Sequence, residues 1–398
     1  MRYVRTWVGV GALLVFAGSA AAQPDTFSGV SPVSPVSPVI QGNPGTFGTG
    51  APVPLPQTAP QPVRSLPPPE EHAVKELPGP HGLGALHPPE DKHHGHNEIP
   101  GHLTAIVPEH GGFYTGAEFL LMRPRNSDMD STIHSAGGLA TTGPIDSIRY
   151  DVGTGLRFDA GYLYNGGKWE TAFSYTYFNG GSENTTTSAA AGVSLLPTLT
   201  RPGLTDRVLT TSDTVDLDYQ LFDLVAGRRF VIEDNFAVRA IAGFRFADIR
   251  QTLNVFYDGG DARLAAVRTR SRLQGFGPMV GGEGTLAGPR GFHLYGRAYG
   301  GFMSGNSTNS LLETNDNGAT TYVNTRYDVR KVVPFGSVAI GGGWQYRSIA
   351  MRAGYEIQHW QGIFERPRFV DDVSQGKVIT RPANLCLEGL FLQVSVIY

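Results

Sequence analysis

The chain has 398 residues, with 32 lysines and arginines against 35 aspartates and glutamates. That near balance gives no electrostatic argument for a nucleic-acid partner, and the single cysteine, Cys386, excludes an intrachain disulfide framework. Charged residues are only 17% of the chain, against about 25% in average soluble domains, which suits a surface that faces lipid.

Residues 1–22 have the pattern of a secretory signal peptide: Arg2 and Arg5, then the apolar stretch Trp7 to Phe16, then the small residues Ala20, Ala21 and Ala22. The rest contains no apolar run of about 18 residues, so any membrane crossing must be made by strands. Residues 23–110 hold 19 of the 28 prolines and eight of the 11 histidines. This segment has few aromatics and no periodicity, so it is expected to be disordered or polyproline-like. It reads as a periplasmic spacer with the reach to touch peptidoglycan. The cluster His93, His94 and His96 is read as compositional, with weak transition-metal binding as the alternative.

From residue 111 onward the pattern changes to period two, the signature of strands with one lipid face and one interior face. Ten strands are predicted: 112–123, 149–163, 168–178, 214–230, 235–250, 267–286, 291–303, 334–347, 349–360 and 385–398. In the second, Leu156, Phe158, Ala160 and Tyr162 alternate with Gly155, Arg157, Asp159 and Gly161. In the fourth, the apolar set changes phase near Leu221 and Phe222, which predicts a β-bulge there. In the tenth, Leu392, Val394, Val396 and Tyr398 share a face. An aromatic residue ending such a strand serves as an assembly signal for the barrel-insertion machinery.

The connections alternate between short turns and longer polar segments (124–148, 179–213, 251–266, 304–333 and 361–384), as expected of short periplasmic turns and long external loops. The predicted fold is therefore all-β: a transmembrane, antiparallel up-and-down β-barrel of ten, or up to twelve, strands in the outer membrane of a Gram-negative cell envelope. Trp169, Tyr175, Tyr177, Trp344 and Trp360 are read as interfacial girdles.

Several segments carry a resemblance in the same order along the chain. These are Gly112-Phe-Tyr-Thr-Gly-Ala-Glu-Phe-Leu-Leu, Asp216-Leu-Asp-Tyr-Gln-Leu-Phe-Asp-Leu-Val-Ala-Gly, Gly275-Phe-Gly-Pro-Met-Val-Gly-Gly-Glu-Gly, Tyr295-Gly-Arg-Ala-Tyr-Gly, Arg352-Ala-Gly-Tyr-Glu-Ile-Gln-His-Trp and Leu387-Glu-Gly-Leu-Phe-Leu. They resemble the pore-forming outer-membrane proteins of the Legionella major outer-membrane protein type, in the divergent form carried by planctomycete-like bacteria. The resemblance covers residues 111–398 and implies an outer-membrane pore.

Charge on the lipid face would cost about 2–4 kcal/mol per arginine near the midplane. Arg157, Asp159, Asp218, Asp223, Arg239, Arg245, Arg272, Glu283, Arg297, Arg352 and Glu356 are therefore expected to line the interior. Glu118 and Glu388 fit that set less neatly. Two arrangements are open: a polar channel with arginines facing carboxylates, or the same residues paired across a narrow lumen and closing it. Ten strands lie near the size at which side chains fill the interior. A narrow pore for small polar or ionic solutes is the leading expectation. The alternatives are a closed structural barrel, or a surface adhesin or receptor working through its long external loops.

No catalytic role and no cofactor is expected. A hydrolase at the external rim would have to use His134 or His359, the latter with Asp371 or Asp372, and no nucleophile motif accompanies either. Asn315-Asp316-Asn317-Gly318 reads as a turn before it reads as a calcium loop. The expected partners are outer-membrane lipid and the barrel-assembly machinery, with oligomerisation left open.

Overall fold

A computed structural model describes residues 111–398 apart from 136–140, 165, 183–184 and 375. The predicted signal peptide, Pro-rich leader and histidine cluster lie outside the described residues.

Ten antiparallel strands form the wall: β1 (Gly112–Asn126), β4 (Gly153–Tyr164), β5 (Trp169–Gly181), β8 (Thr210–Glu233), β9 (Phe236–Gly259), β10 (Ala262–Ala287), β11 (Phe292–Asn315), β12 (Thr320–Tyr346), β13 (Ile349–Phe369) and β14 (Val378–Ile397). Each pairs with its neighbours in chain order. The pairing of β1 with β14 (Tyr114 opposite Ile397, through to Asn126 opposite Leu385) completes the circuit. Closure leaves the lower wall without an unpaired edge, the condition for backbone to cross hydrocarbon. Three short strands, β2 (Asp130–Ser135), β3 (Ile145–Ser147) and β7 (Ser194–Pro197), make a separate small sheet. A further one, β6 (Thr185–Ser188), extends the pairing of β8.

At one end the turns are tight, as between Glu233 and Phe236 or Tyr346 and Ile349. Between β4 and β5, Gly166 and Gly167 both take positive φ (62° and 74°), a conformation that glycine adopts without steric cost. This is the predicted short-turn, periplasmic end.

The strands are longer than the sequence pattern suggested. Segments 251–266 and 304–333, expected as polar loops, are mostly the paired upper halves of β9, β10, β11 and β12. The reason is an exchange of polarity partway up each strand. On β9, the outward residues Phe236, Val238, Ala240, Ala242, Phe244 and Phe246 give way to Asp248, Arg250, Thr252 and Asn254. Its inward residues Arg239 and Arg245 give way to Ala247, Ile249, Leu253, Val255 and Tyr257. The stretch Phe236 to Phe246 covers about 33 Å at ~3.3 Å per residue. Tilted by about 40°, it projects to about 25 Å, the height of a lipid-facing band.

The same exchange accounts for the bulge expected near Leu221 and Phe222. The pairing of β8 with β9 runs without a shift from Thr210 to Val231, so no bulge is present there. Val215, Leu217, Tyr219 and Leu221 point inward above the band, and Phe222, Leu224 and Ala226 point outward within it. The hydrophobic phase changes because the surroundings change; the backbone keeps its register.

Above Phe335 and Trp360 the pairing of β12 with β13 stops. A shift between Trp360 and Phe364, with Gly362 at φ 61°, turns the upper β13–β14 hairpin away from β12. The hairpin buries Ile363 and Phe364, and the backbone oxygen of Glu365 accepts a hydrogen bond from Ser271 of β10. The upper edge of β12 is left without a neighbour on that side and carries Arg326, Asp328, Arg330 and Lys331, charges that discourage edge-to-edge pairing. Residues 315–318 form a turn with Asp316, Asn317 and Gly318 at positive φ.

Gly389 sits in the closing seam, where a Cβ would lie 2.1 Å from the Leu121 carbonyl oxygen and 2.6 Å from the Met122 Cα. Gly389→Val should therefore prevent β1 and β14 from meeting. Unheated samples in SDS gels should run as unfolded chain; a wild-type heat-dependent mobility shift would refute this reading of the seam.

Candidate functional site

The interior is the candidate site, built from side chains that alternate inward along the lower halves of the wall strands. At its centre is a closed ion-pair cluster. Glu118, fully buried on β1, accepts from Arg157 of β4 at 2.5 Å and Arg297 of β11 at 3.4 Å. Glu356 of β13 is shared by the same two arginines at 3.0 and 2.6 Å and also accepts from the Ser337 hydroxyl and the Gln358 amide. Two carboxylates thus balance two guanidiniums. Beside them Arg245 makes a two-point contact with Asp223, both bonds 2.7 Å, and lies 4.9 Å from the Phe335 ring centre.

Nearer the periplasmic end is a second chain of pairs. Glu170 bonds Arg239, which approaches Glu283 at 3.5 Å, and Glu283 bonds Arg352 at 3.1 Å. The Tyr114 hydroxyl donates to Glu170, and the Gln393 amide donates to Asp159. Arg229 and His293 also face this space. These groups line a cavity of about 180 Å³ that runs from Leu163, Gln345 and Ile397 up to Arg157 and Arg245.

Above the central cluster the interior becomes apolar. The Glu356 carboxylate accepts from Gln358, whose amide oxygen accepts from Tyr219; the Tyr219 hydroxyl in turn accepts from the Trp360 indole N–H at 3.1 Å. Trp360 stacks on Phe335 with ring centres 5.0 Å apart. Leu120, Met122, Phe178, Leu221, Leu273, Met303 and Leu385 fill the same level. Ionic below, aromatic and aliphatic above, this packing fills the lumen.

Of the residues expected to line the interior, Arg157, Asp159, Asp223, Arg239, Arg245, Glu283, Arg297, Arg352 and Glu356 are found there. Asp218 and Arg272 are not. Both lie above the apolar band, where the outer face is polar: Asp218 accepts from Asn179, and Arg272 pairs with Asp248 at 2.7 Å. Their neighbours Leu217, Tyr219 and Leu273 take the inward positions. Trp360 is likewise interior and not part of a girdle. The other girdle residues face outward: Trp169 lies beside Arg228, Trp344 stacks on Tyr346, and Tyr175 packs on Phe222. The sequence reading did not place Glu118, Glu170, Arg229, Tyr219 or Gln358 in the site. For Glu118 and Glu170 the signal was already in the alternation, since Ala117 and Phe119, and Trp169 and Thr171, face out on either side of them. Glu388 sits on the outer face, paired with Arg125. Leu392, Val394, Val396 and Tyr398 also face outward.

At the top, Asp128 receives Arg366 and Arg368 and fastens the chain after β1 to the inturned hairpin. His134 contacts Asp146 at 2.7 Å, and the Thr132 hydroxyl donates to the same carboxylate oxygen. Hydroxyl and imidazole both bond the carboxylate and not each other, so the trio ties β2 to β3 without setting up a nucleophile–base pair. His359 faces outward on β13.

The family model described as Legionella pneumophila major outer membrane protein precursor matches residues 106–398. The chain belongs to this family. It is an outer-membrane β-barrel protein. No curated protein sequence matches it. Among solved structures it is similar to the outer membrane protease OmpT of Escherichia coli (11% identity, 72% of this chain and 97% of that one, TM-score 0.44). It is also similar to a major outer membrane protein of Thermus thermophilus (11%, 72% and 99%, 0.30) and to a Pseudomonas aeruginosa FadL homologue (8%, 74% and 93%, 0.22). These likenesses transfer no activity.

The interior and its lid each yield a prediction. Glu118→Ala leaves Arg157 and Arg297 with one shared carboxylate in a buried cluster, and breaking such a pair costs about 3–5 kcal/mol. Urea unfolding from lipid vesicles should show a loss of that order, and a loss under about 1 kcal/mol, the level of a solvent-exposed pair, would show that water already screens the cluster. At the top, burial raises the Glu313 carboxyl to about 7, opposed by the Arg201 backbone N–H that it accepts. Because the folded form holds this proton more tightly than the unfolded form, the stabilising contribution is full below the ordinary carboxyl range and is lost as pH rises through about 7. Hydrogen exchange in residues 198–208 should therefore speed up between about pH 5 and pH 8 beyond the intrinsic rate change. Glu313→Gln should flatten that excess.

Proposed function

We propose that the protein is a narrow pore held shut at rest, which passes small polar or ionic solutes only when its upper plug is displaced. The carrying observation is the charged cavity that rises from the periplasmic end and stops beneath Tyr219, Trp360 and Phe335. The membrane-level interior carries paired guanidiniums and carboxylates around that cavity, groups that accommodate water and ions once the space above them opens. On this reading residues 1–22 are the export signal and residues 23–110 a periplasmic segment.

A structural or adhesive role is the second reading. Its support is the length of β8 to β12 beyond the apolar band and the small sheet of β2, β3 and β7 above it, which together present a broad polar surface outside the membrane.

Planar-bilayer recording of refolded protein separates the two. Wild type should be nearly silent, while Tyr219→Ala with Trp360→Ala should give stepwise, charge-selective currents. Steady wild-type conductance would overturn the closed resting state. Silence of a correctly folded double variant would overturn the pore and leave the structural role.

A further inference from the structure

The outer face of β10, β11 and β12 carries a second charged site, facing away from the lumen. Directly above the last apolar outward residues, Phe276, Phe302 and Val332, the outward row of β11 is Ser304, Asn306, Thr308 and Ser310. These side chains are short and polar. On one side the row is bordered by Arg268, Arg270 and Arg272 of β10, and on the other by Arg326 and Arg330 of β12. The registers set the two rims opposite one another: Ser310 lies between Arg270 and Arg326, and Asn306 lies between Gln274 and Arg330. At ~4.8 Å between neighbouring strands, the rims are about 10 Å apart.

Asp248 takes Arg272 together with Arg250. Arg268, Arg270, Arg326 and Arg330 are exposed and make no ion pair among the described residues; Arg268 donates only to the Asn254 amide oxygen at 2.7 Å. The Asp328 carboxylate, which lies between Arg326 and Arg330 on the same face of β12, accepts from Thr308 and makes no ion pair with those four cations among the described residues. A furrow of hydroxyls and amides between two rows of unpaired guanidiniums has the chemistry of a sugar–phosphate site: hydroxyl and amide groups meet sugar hydroxyls, and guanidinium forks meet phosphate oxygens in pairs. Its position narrows the ligand further, because a molecule seated there would have its lower end at Phe276, Phe302 and Val332, where acyl chains lie.

We propose that this furrow binds the phosphorylated sugar headgroup of an outer-leaflet glycolipid, with Arg268, Arg270, Arg326 and Arg330 holding the phosphates. The site is independent of the pore, since no residue in it faces the lumen. It gives the barrel a fixed lipid neighbour on one side only, at the face where the upper edge of β12 is unpaired.

The test uses full-length protein in detergent micelles, titrated with bis-phosphorylated lipid A and with the same lipid after phosphatase treatment, with binding read by native mass spectrometry. Wild type should retain the phosphorylated lipid at least tenfold more tightly than the dephosphorylated one. The variant with Arg268, Arg270, Arg326 and Arg330 all changed to Gln should lose that preference while keeping its heat-dependent gel mobility. Binding should weaken as salt rises, as expected for contacts between basic residues and anionic headgroups. Equal retention of both lipids by wild type, or an unchanged preference in the folded variant, would overturn the proposal. Displacement of bound lipid by millimolar inorganic phosphate would assign the arginines to free phosphate and overturn the lipid assignment.

Discussion

The structure depends on one constraint: a closed wall of ten strands passes through two media. Within the apolar band the outward positions must be greasy, and the inward ones are then the only place for charge. Above the band the outward positions meet water, so the apolar residues move inward and form a core. Because strand side chains alternate with a period of two, this exchange needs no backbone change. The long strands β8 to β12 therefore encode a membrane barrel in their membrane-spanning part and a water-exposed barrel beyond it. The boundary lies near Phe246 on β9, Phe276 on β10 and Glu388 on β14.

The charged interior follows from the same constraint, but its pairing is specific. Each buried guanidinium of the central cluster meets carboxylates from other strands: Arg157 and Arg297 share Glu118 and Glu356, so β1, β4, β11 and β13 are tied across the lumen. Such pairs are weak evidence for stability, because desolvation offsets much of the attraction. Their effect is on geometry. A shared carboxylate with two arginines has few alternative partners nearby, and this fixes which strands face one another. The hydrogen-bonded chain from Glu356 through Gln358 and Tyr219 to Trp360 then joins the ionic layer to the apolar layer, so neither can move alone.

The class of fold, the ten strands and most of the inward charges were legible from period-two alternation alone. The failures share a cause. Reading Leu221 and Phe222 as a bulge, Asp218 and Arg272 as lumenal, Trp360 as a girdle residue, and 251–266 and 304–333 as loops all assumed that one medium surrounds the whole strand. A sequence window reports which side chains differ in polarity, but not which side is wet. Asp248 and Arg250 share a face with Phe244 and Phe246, a position open to charge only because the strand extends beyond the bilayer. The cross-strand partners were illegible for a different reason. Glu118 lies 39 residues from Arg157 and 179 from Arg297, and only barrel closure brings them together.

The closed lumen and the incomplete upper wall belong together. Up to Phe335 and Trp360 every wall strand is bonded on both sides. Above that level β12 and β13 separate, and the β13–β14 hairpin is held over the core by side-chain contacts: Arg366 and Arg368 on Asp128, and Lys331 on Glu365 and the Gly362 carbonyl. At this level side-chain contacts stand in place of the β12–β13 ladder. Trp360 is the last paired residue of β13 before this hairpin. Any motion of the hairpin away from the core is therefore transmitted first to the side chain that seals the lumen.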